Sequence, residues 1–313
     1  MAKKQIYVVY TGGTLGMQKT ERGFRPVPNW FEQQLRSLPE FNSPEMPGFT
    51  LHEYSPLLDS SDIHPQHWQS IAQDIVDNYE YYDGFVVLHG TDTMAYTAAG
   101  LHYLLESLTK PVILTGAQLA IGEPNTDAIR NVRNALYAAA FSGINQVSLL
   151  FDKHLLKAEY ATKFDSQNLS GFASFNAEPL LAWTEEFLQL PETLTATKIH
   201  SLPKLKKPTP KKVGLITFYP GMDFDFLATY LNQKWDTVIL HSFGAGNIPQ
   251  HPILWQSLKE LAAAGVQLIN CTQCKKGEVQ IKYASGYMMA ELGVQSAGDK
   301  TLESTLARAY TRQ

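Results

Sequence analysis

The fold is decided by the stretch Ile6-Tyr7-Val8-Val9-Tyr10-Thr11-Gly12-Gly13-Thr14, in which a strand pattern runs into two glycines. The first five residues are β-branched or aromatic, which is typical of a buried strand. The glycines end the strand and place Thr14 just beyond its carboxyl end. Because the apolar run is too short for a signal peptide, we interpret it as the first strand of a sheet.

Similar short apolar runs recur downstream and alternate with segments of helical period. The runs that predict further buried strands are Phe85–Leu88, Pro111–Leu114 and Val147–Phe151. Helices are predicted at 68–79, 93–106 and 127–141, the first because its apolar residues recur on one helix face. This alternation is typical of βαβ units around a mostly parallel sheet flanked by helices.

The length of 313 residues favours two domains, both of α/β class. The stretch 204–212 is rich in lysine and proline, which is typical of an extended linker. We therefore predict a larger N-terminal α/β catalytic domain at 1–203 and a smaller C-terminal α/β domain at 213–313. The elements expected in the smaller domain are strands at 213–218, 237–240 and 266–270 and helices at 223–232 and 252–264.

Composition argues against several classes of partner. With 26 Lys and Arg against 30 Asp and Glu, the net charge is −4, so no nucleic-acid partner is expected. No apolar run is long enough to cross a bilayer. The two cysteines, Cys271 and Cys274, do not suggest an oxidising compartment, so a cytoplasmic protein without membrane contact is expected.

The familiar cofactor and metal motifs are missing from the sequence. Neither the phosphate loop of ATPases nor the glycine fingerprint of dinucleotide-binding folds occurs. The serine elbow of α/β-hydrolases and the paired-histidine zinc motif are also missing. His64 and His67 open a predicted helix, where capping or solvated roles are favoured over metal binding. We therefore expect no cofactor and no metal.

Small polar residues follow the predicted strands, where open α/β sheets bind their ligands. The stretches concerned are Thr11–Gly16, His89–Thr93, Thr115–Gln118, Ser242–Asn247 and Cys271–Cys274. Hydroxyl, glycine and amide groups predominate there and charges are sparse, which favours a small polar ligand. The spacing Cys271-x-x-Cys274 also allows a redox pair, but no helical apolar face follows it, so structural thiols are favoured.

Thr11-Gly12-Gly13-Thr14 together with His89-Gly90-Thr91-Asp92-Thr93 resembles the paired motifs of L-asparaginases, in the bacterial cytoplasmic, type I branch. Further matches are Asp59–Asp62, the lysine after Ala161-Thr162, Gly244–Asn247 and Thr272–Cys274. The resemblance implies hydrolysis of L-asparagine to L-aspartate and ammonia through a threonine nucleophile and an acyl-enzyme. It also implies a homotetramer, built as a dimer of dimers.

The resemblance also implies a role for individual residues. The implied catalytic residues are Thr14 as nucleophile, with Thr91, Asp92 and Lys163. The implied substrate-binding residues are Ser60, Ser61, Thr91, Asp92 and Asn247, the last supplied by a neighbouring subunit. A possible allosteric site matches Thr162, His241 and Cys274.

From the residues alone, simpler interpretations remain open. The Thr11–Thr14 stretch could be a plain turn or an anion-binding nest. Asp92 could be the N-cap of the helix at 93–106, with Lys163 an ordinary surface lysine. Ser60 and Ser61 also look like a helix-capping stretch.

Two positions depart from the family pattern. Phe24 stands where the segment 15–29, expected to act as a lid, should carry a tyrosine, so a hydroxyl is missing. His241 stands where an arginine is expected, so strong allosteric activation is not predicted. Phe24 leaves open an asparagine-binding protein or sensor with weakened catalysis. An ammonia-generating amidotransferase subunit is disfavoured because such subunits carry an additional N-terminal region, whereas Thr14 lies near the start.

Overall fold

The computed structural model describes residues 3–21, 23–27, 29–188, 190, 201–281 and 284–312. The chain divides into two compact units, Met1–Lys207 and Pro208–Gln313. The division falls within the stretch 204–212, whose first two residues form a short strand in the first unit. The domain bounds 1–203 and 213–313 stay predictions.

The elements are numbered along the chain. The strands are β1 Gln5–Gly12, β2 Met17–Thr20, β3 Gly23–Pro26, β4 Gly48–Leu58, β5 Gly84–Leu88, β6 Leu105–Glu106, β7 Val112–Thr115, β8 Val147–Phe151, β9 His154–Lys157, β10 Thr162–Lys163, β11 Phe172–Ala173, β12 Leu181–Ala182, β13 Lys204–Leu205, β14 Val213–Thr217, β15 Thr237–Ser242, β16 Gln267–Thr272 and β17 Gln295–Ser296. The α-helices are α1 Trp30–Ser37, α2 Pro39–Asn42, α3 Pro65–Asp77, α4 Met94–Leu104, α5 Ala128–Phe141, α6 Phe224–Leu231, α7 Pro252–Ala263, α8 Ala284–Glu291 and α9 Leu302–Thr311. Within the described ranges, no helix is both long enough and apolar enough to cross a membrane.

The first unit is built on a seven-stranded sheet in the order β12-β9-β8-β7-β5-β1-β4. The strands β8, β7, β5, β1 and β4 run parallel, and β9 and β12 extend the sheet in antiparallel fashion. Every position of β5, β7 and β8 is buried, because helices cover both faces of a sheet of this kind. The predicted α/β class with a mostly parallel sheet is confirmed.

One face of this sheet packs against α5 and α1 through a continuous apolar cluster. Ile6, Val8 and Val86 contribute to it from alternate strand positions, as the two-residue period of a strand requires. Val132 and Leu35 contribute from the two helices. The predicted helices at 68–79, 93–106 and 127–141 are confirmed as α3, α4 and α5, with ends shifted by a few residues.

The edge strand β4 is missing from the sequence-based prediction. Among the residues that the structure describes, it pairs only with β1 and forms the edge of the sheet. Pro56 lies within it, and a proline argues against a strand in a sequence pattern. The pairing shifts register between Tyr10 and Gly12, which accommodates the proline at an irregular edge.

The second unit is a smaller α/β layer. Its four strands run parallel in the order β14-β15-β16-β17. An apolar cluster joins strands β14, β15 and β16 to α6 and α7, with Val238, Leu240 and Leu258 fully buried. The predicted smaller α/β layer is confirmed, while β17 and the helices α8 and α9 had no counterpart in the prediction.

The contact between α3 and α4 yields a test of the packing. A β-carbon at Gly100 of α4 would lie 2.6 Å from Trp68 of α3. Gly100→Ala should lower the free energy of unfolding by about 1–2 kcal/mol, because overpacking outweighs the helix propensity that alanine gains. Urea unfolding measures this. The matched control is Gly122→Ala, where the nearest atom lies 4.0 Å away and stability should hold within about 0.5 kcal/mol.

Candidate active site

The carboxyl ends of β1 and β5 form the point at which the strand order reverses. From β1 the chain passes to β4 on one side and then to β5 on the other. Loops that leave a parallel sheet at such a point diverge and open a crevice, where ligands bind in this class of fold. The stretches Thr11–Gly16, Asp59–Asp62 and His89–Thr93 therefore all leave the sheet at one place.

Thr14 stands on a rigid turn directly after β1. Gly12 and Gly13 have φ of +130° and +98°, a region that residues with a β-carbon rarely adopt. Thr14 then opens a 3-10 turn that runs to Gly16. Thr11 anchors the turn from beneath, because its buried hydroxyl donates to the carbonyl of Leu88 at 3.0 Å. The Thr14 hydroxyl thus stands on a backbone that has little freedom to move.

Glycines let the loops meet backbone to backbone. A β-carbon at Gly13 would lie 2.5 Å from Cα of Gly90, and one at Gly90 would lie 2.5 Å from Oγ of Ser60. On the far side, a β-carbon at Gly116 would lie 2.3 Å from the carbonyl oxygen of His89. Four strand ends therefore pack together with no space for side chains between them, and Thr14 and Thr91 each directly follow one of two touching glycines.

Ser60 and Ser61 lie on a short turn after β4 that is tied to the second loop. The carboxylate of Asp59 accepts hydrogen bonds from the backbone N–H and the hydroxyl of Ser61, both at 2.9 Å. The hydroxyl of Thr93 donates to the carbonyl oxygen of Ser60 at 2.6 Å. Ser60 is buried and Ser61 is exposed, so one hydroxyl lies inside the crevice wall and the other faces outward.

Lys163 reaches the same crevice from a different part of the chain. It ends β10 and donates through Nζ to Oγ1 of Thr91 and to Oδ1 of Asp92, each at 2.8 Å. Thr91 is buried, and the Lys163 side chain is 19% exposed, whereas the Asp92 side chain is 67% exposed. The arrangement holds an amine against a hydroxyl and leaves a carboxylate open to solvent.

His89 is a buried neutral support for the second loop. Its Nδ1 lies 2.7 Å from the carbonyl oxygen of Gly90, which can only accept, so Nδ1 carries the proton. Nε2 then accepts from the hydroxyl of Thr97 at 2.9 Å. Burial lowers the pKa of His89 to about 4, with His67 contributing in the same direction. The imidazole therefore holds the loop without adding charge to the crevice.

Of the remaining predicted site residues, one belongs to the first unit and three belong to the second. Thr162 is buried in the first unit, beside Lys163. Asn247 closes a turn in the second unit by exchanging two backbone hydrogen bonds with Phe243. In the same unit, His241 contacts the hydroxyl of Thr217, and burial lowers its pKa. The exposed Cys274 follows β16.

The two cysteines do not resemble an activated redox pair. Both are free thiols, Cys271 buried on β16 and Cys274 exposed beyond its end. Burial raises the pKa of the Cys271 thiol, which opposes the thiolate that redox exchange needs. The hydroxyl of Thr305 donates to its sulfur at 3.6 Å. Burial and this contact support a structural role for Cys271.

The segment 15–29 contains more order than its irregular sequence predicts. Beyond the turn at Thr14, β2 and β3 form a short antiparallel hairpin in which Lys19 faces Phe24 along the backbone. The side chain of Phe24 lies outside the described residues. At the far end, the backbone N–H of Asn29 donates to the Glu53 carboxylate at 2.9 Å.

Sequence reasoning missed several residues that shape the crevice. Gly90 and Gly116 were noted only as loop residues, although a glycine after a buried strand is a signal of close backbone approach. Thr93 and His89 were assigned no positioning role. Gln118 was noted at a strand end without a function, and its contacts involve residues about 50 positions away, which no local pattern reveals.

The comparisons with known proteins cover both units. A family model described as asparaginase, N-terminal, matches residues 5–195, and one described as glutaminase/asparaginase C-terminal domain matches residues 212–309. L-asparaginase 1 of Escherichia coli K12 is 45% identical to this chain over 313 residues, which span 99% of this chain and 92% of that protein.

Solved structures agree in fold over nearly the whole chain. The crystal structure of L-asparaginase I from Vibrio cholerae superposes with a TM-score of 0.88 at 43% identity, covering 99% of this chain and 92% of that one. The thermostable L-asparaginase from Thermococcus kodakarensis superposes with a TM-score of 0.85 at 29% identity, covering 99% and 93%.

The buried His89 yields a pH-dependent test of stability. The pKa of His89 is about 4 in the folded protein and about 6.5 in the unfolded chain. Below pH 6.5 the unfolded chain therefore binds a proton that the folded protein does not bind until the pH approaches 4. Between pH 7 and pH 5 this should remove about 2 kcal/mol of stability from the wild type. His89→Asn should lose correspondingly less over the same interval in urea titrations. Equal losses in both proteins would show that His89 titrates normally when folded.

Proposed function

The chain belongs to the asparaginase family and is an L-asparaginase, and we propose that it hydrolyses L-asparagine to L-aspartate and ammonia through an acyl-enzyme on Thr14. The observation that carries the proposal is the pair of 2.8 Å hydrogen bonds that Lys163 donates to Thr91 and Asp92. The loop that carries Thr91 and Asp92 also contacts the turn that carries Thr14. A hydroxyl on a rigid turn beside a hydroxyl–amine–carboxylate set is what two-step amide hydrolysis requires.

In the first step, Thr14 Oγ attacks the side-chain amide carbon of the substrate. A C–O bond forms, the C–N bond breaks, and the amide nitrogen leaves as ammonia with the hydroxyl proton. Backbone N–H groups at the start of the Thr14–Gly16 turn lack helical partners and can donate to the developing oxyanion. The glycine contacts behind the turn favour this step because they hold the nucleophile in place before substrate binds.

In the second step, water cleaves the acyl-enzyme. Thr91 Oγ1 positions the water, and Nζ of Lys163, 2.8 Å from that hydroxyl, accepts the proton of the water as the uncharged amine. A C–O bond forms between the water and the acyl carbon, the C–O bond to Thr14 breaks and releases aspartate, and the proton passes from Lys163 to the Thr14 oxygen. Burial of Thr91 supports the assignment, since a hydroxyl shielded from bulk water can hold a single reacting water in one orientation.

The charged ends of the substrate have matching groups at the crevice. The exposed carboxylate of Asp92 accepts the α-ammonium group while its Oδ1 holds Lys163. The turn of Ser60 and Ser61 binds the α-carboxylate, and the N–H and hydroxyl of Ser61, which here donate to Asp59, would turn from that carboxylate to the substrate. Asn247 of a neighbouring subunit completes the site, which makes a homotetramer, as a dimer of dimers, part of the proposal.

Regulation and location complete the proposal. Thr162, His241 and Cys274 match positions of the family's second asparagine site, but the half-buried His241, whose pKa is lowered by burial, lacks the permanent charge of an arginine. We therefore propose weak or no allosteric activation. A cytoplasmic location is consistent with two free cysteines.

Replacing the nucleophile gives the direct test. Thr14→Ala should lower kcat for ammonia release from L-asparagine more than about 10³-fold, and Thr14→Ser should retain part of the activity because it keeps a hydroxyl. Thr229→Ala, which removes an exposed threonine hydroxyl of α6, is the matched control and should leave kcat unchanged. Near wild-type ammonia release from Thr14→Ala contradicts the assignment. Calorimetric binding of asparagine to wild type without ammonia release would indicate a binding protein instead.

The shared site predicts complementation between subunits. Thr14→Ala and Asn247→Ala subunits should each be impaired alone, whereas co-expressed mixed oligomers contain pairs in which one of two sites has both native residues. Such oligomers, purified through two tags, should recover up to about half of the wild-type activity. In oligomers of wild type with the double variant, a pair formed by one subunit of each kind carries the same substitutions but has no intact shared site. Activity of the Thr14→Ala and Asn247→Ala mixture no higher than that of the single variants would place Asn247 outside the shared site.

A further inference from the structure

We propose that Gln118 is a positioning residue for Lys163, acting through the loop 164–171 that its side-chain amide holds. This inference rests on the proposed function of Lys163. Gln118 follows the end of β7 and does not itself need to touch the substrate. Its contacts determine where the strand that carries Lys163 ends, and therefore where the amine stands relative to Thr91 and Asp92.

The loop 164–171 is a compact connection whose start fixes Lys163. It joins β10 to β11, and the backbone N–H of Phe164 donates to the carbonyl oxygen of Gly171 at 3.0 Å, next to Lys163 itself. Inside the loop, Oδ1 of Asp165 accepts from the backbone N–H groups of Gln167 and Asn168 at 2.8 and 2.9 Å. The loop therefore moves as one body, and Lys163 moves with it.

The amide of Gln118 enters this loop from the side of the sheet. Its Nε2 donates to the carbonyl oxygens of Asn168 and Asp165, at 3.1 and 3.4 Å. Two carbonyl acceptors require the NH₂ end of the amide, so the orientation of the side chain is determined. A β-carbon at Gly171 would lie 2.7 Å from this nitrogen, so the amide is closely packed against the loop.

Gln118 is itself held by a buried carboxylate. The two oxygens of Asp127 accept from the backbone N–H groups of Gln118 and Leu119, both at 3.0 Å. Asn131 of α5 donates to the same carboxylate at 3.1 Å and to the carbonyl of Gly116 at 2.9 Å. Gln118 thus stands on the rigid end of β7 and α5, which is the kind of support that a positioning residue needs.

The opposite side of the loop has a separate anchor. The hydroxyl of Ser170 donates to Asp152, whose other carboxylate oxygen pairs with Arg130 at 2.8 Å. Loss of the Gln118 amide therefore leaves this side attached and frees the side that carries Asp165 and Asn168. A displacement of about 1 Å at a catalytic group can cost about 10²-fold in rate, and Lys163 must satisfy two acceptors at once.

Two variants remove the contact by independent routes. Gln118→Met keeps the length of the side chain without its donors. Gly171→Ala places a methyl group 2.7 Å from the amide nitrogen and 3.0 Å from the carbonyl oxygen of Asp165, so it crowds both partners of the contact, at a glycine whose φ is not positive. Each should lower kcat for asparagine hydrolysis about ten- to a hundredfold, while KM changes less than about threefold, because Ser60 and Ser61 stay in place. Gln256→Met, at an exposed glutamine of α7, is the matched control with unchanged kcat.

A double-variant cycle separates positioning from general damage. In a Lys163→Met background, Gln118→Met should cause no further loss of kcat, because its effect passes through Lys163. Hydrogen exchange should be faster in the loop 164–171 of both contact variants, with unchanged exchange in α5. A further loss in the Lys163→Met background overturns the proposal, as does faster exchange in the loop with full kcat.

The same experiments distinguish this inference from the function on which it rests. Full activity of Lys163→Met would remove the assigned role of Lys163 and the positioning role with it. Impaired Lys163→Met together with fully active Gln118→Met and Gly171→Ala would overturn the role of Gln118 alone. Unchanged exchange in the loop of Gln118→Met would show that the amide does not hold it, and would also overturn the proposal.

Discussion

The rest of the site depends on the contact between Gly13 and Gly90, where two loops meet with no side chain between them. A β-carbon at either position would lie within 2.5 Å of the facing loop or of Ser60. Since Gly13 also has a φ of +98°, conformation and space both require glycine there. This contact brings the residues that follow, Thr14 and Thr91, to one crevice.

The crevice uses very few charges for its chemistry. His89 is kept neutral by burial, and the surrounding groups are hydroxyls and backbone amides. Lys163 and Asp92, whose Nζ and Oδ1 lie 2.8 Å apart, are the amine and carboxylate of the proposed reaction, and Asp92 is largely exposed. Because few other charged groups surround Lys163 and Asp92, their effect on the reaction depends on where they are placed more than on how many charges the crevice holds. The hydrogen bonds of the uncharged Gln118 amide, which we propose to position Lys163, are therefore important for catalysis.

Much of the first sheet could be predicted from local patterns. The buried runs at β1, β5, β7 and β8 were identified because parallel strands are apolar throughout. The edge strand β4 was not predicted, because exposed positions and Pro56 interrupt the apolar pattern that marks a buried strand. The candidate residues of the crevice were identified through the family resemblance, whereas on their own Asp92 and Lys163 looked like a helix cap and a surface lysine.

The sequence by itself determined where strands end, where glycine turns follow and which residues stand beyond them, because periodicity and turn chemistry act over a few neighbouring residues. Only the tertiary structure decided that Ser60 packs against Gly90, that Lys163 reaches Thr91 across 72 positions, and that Gln118 holds the loop beyond Lys163. Those contacts follow from the order of strands in the sheet. That order is set by the packing of the whole unit, which no short stretch of the chain contains.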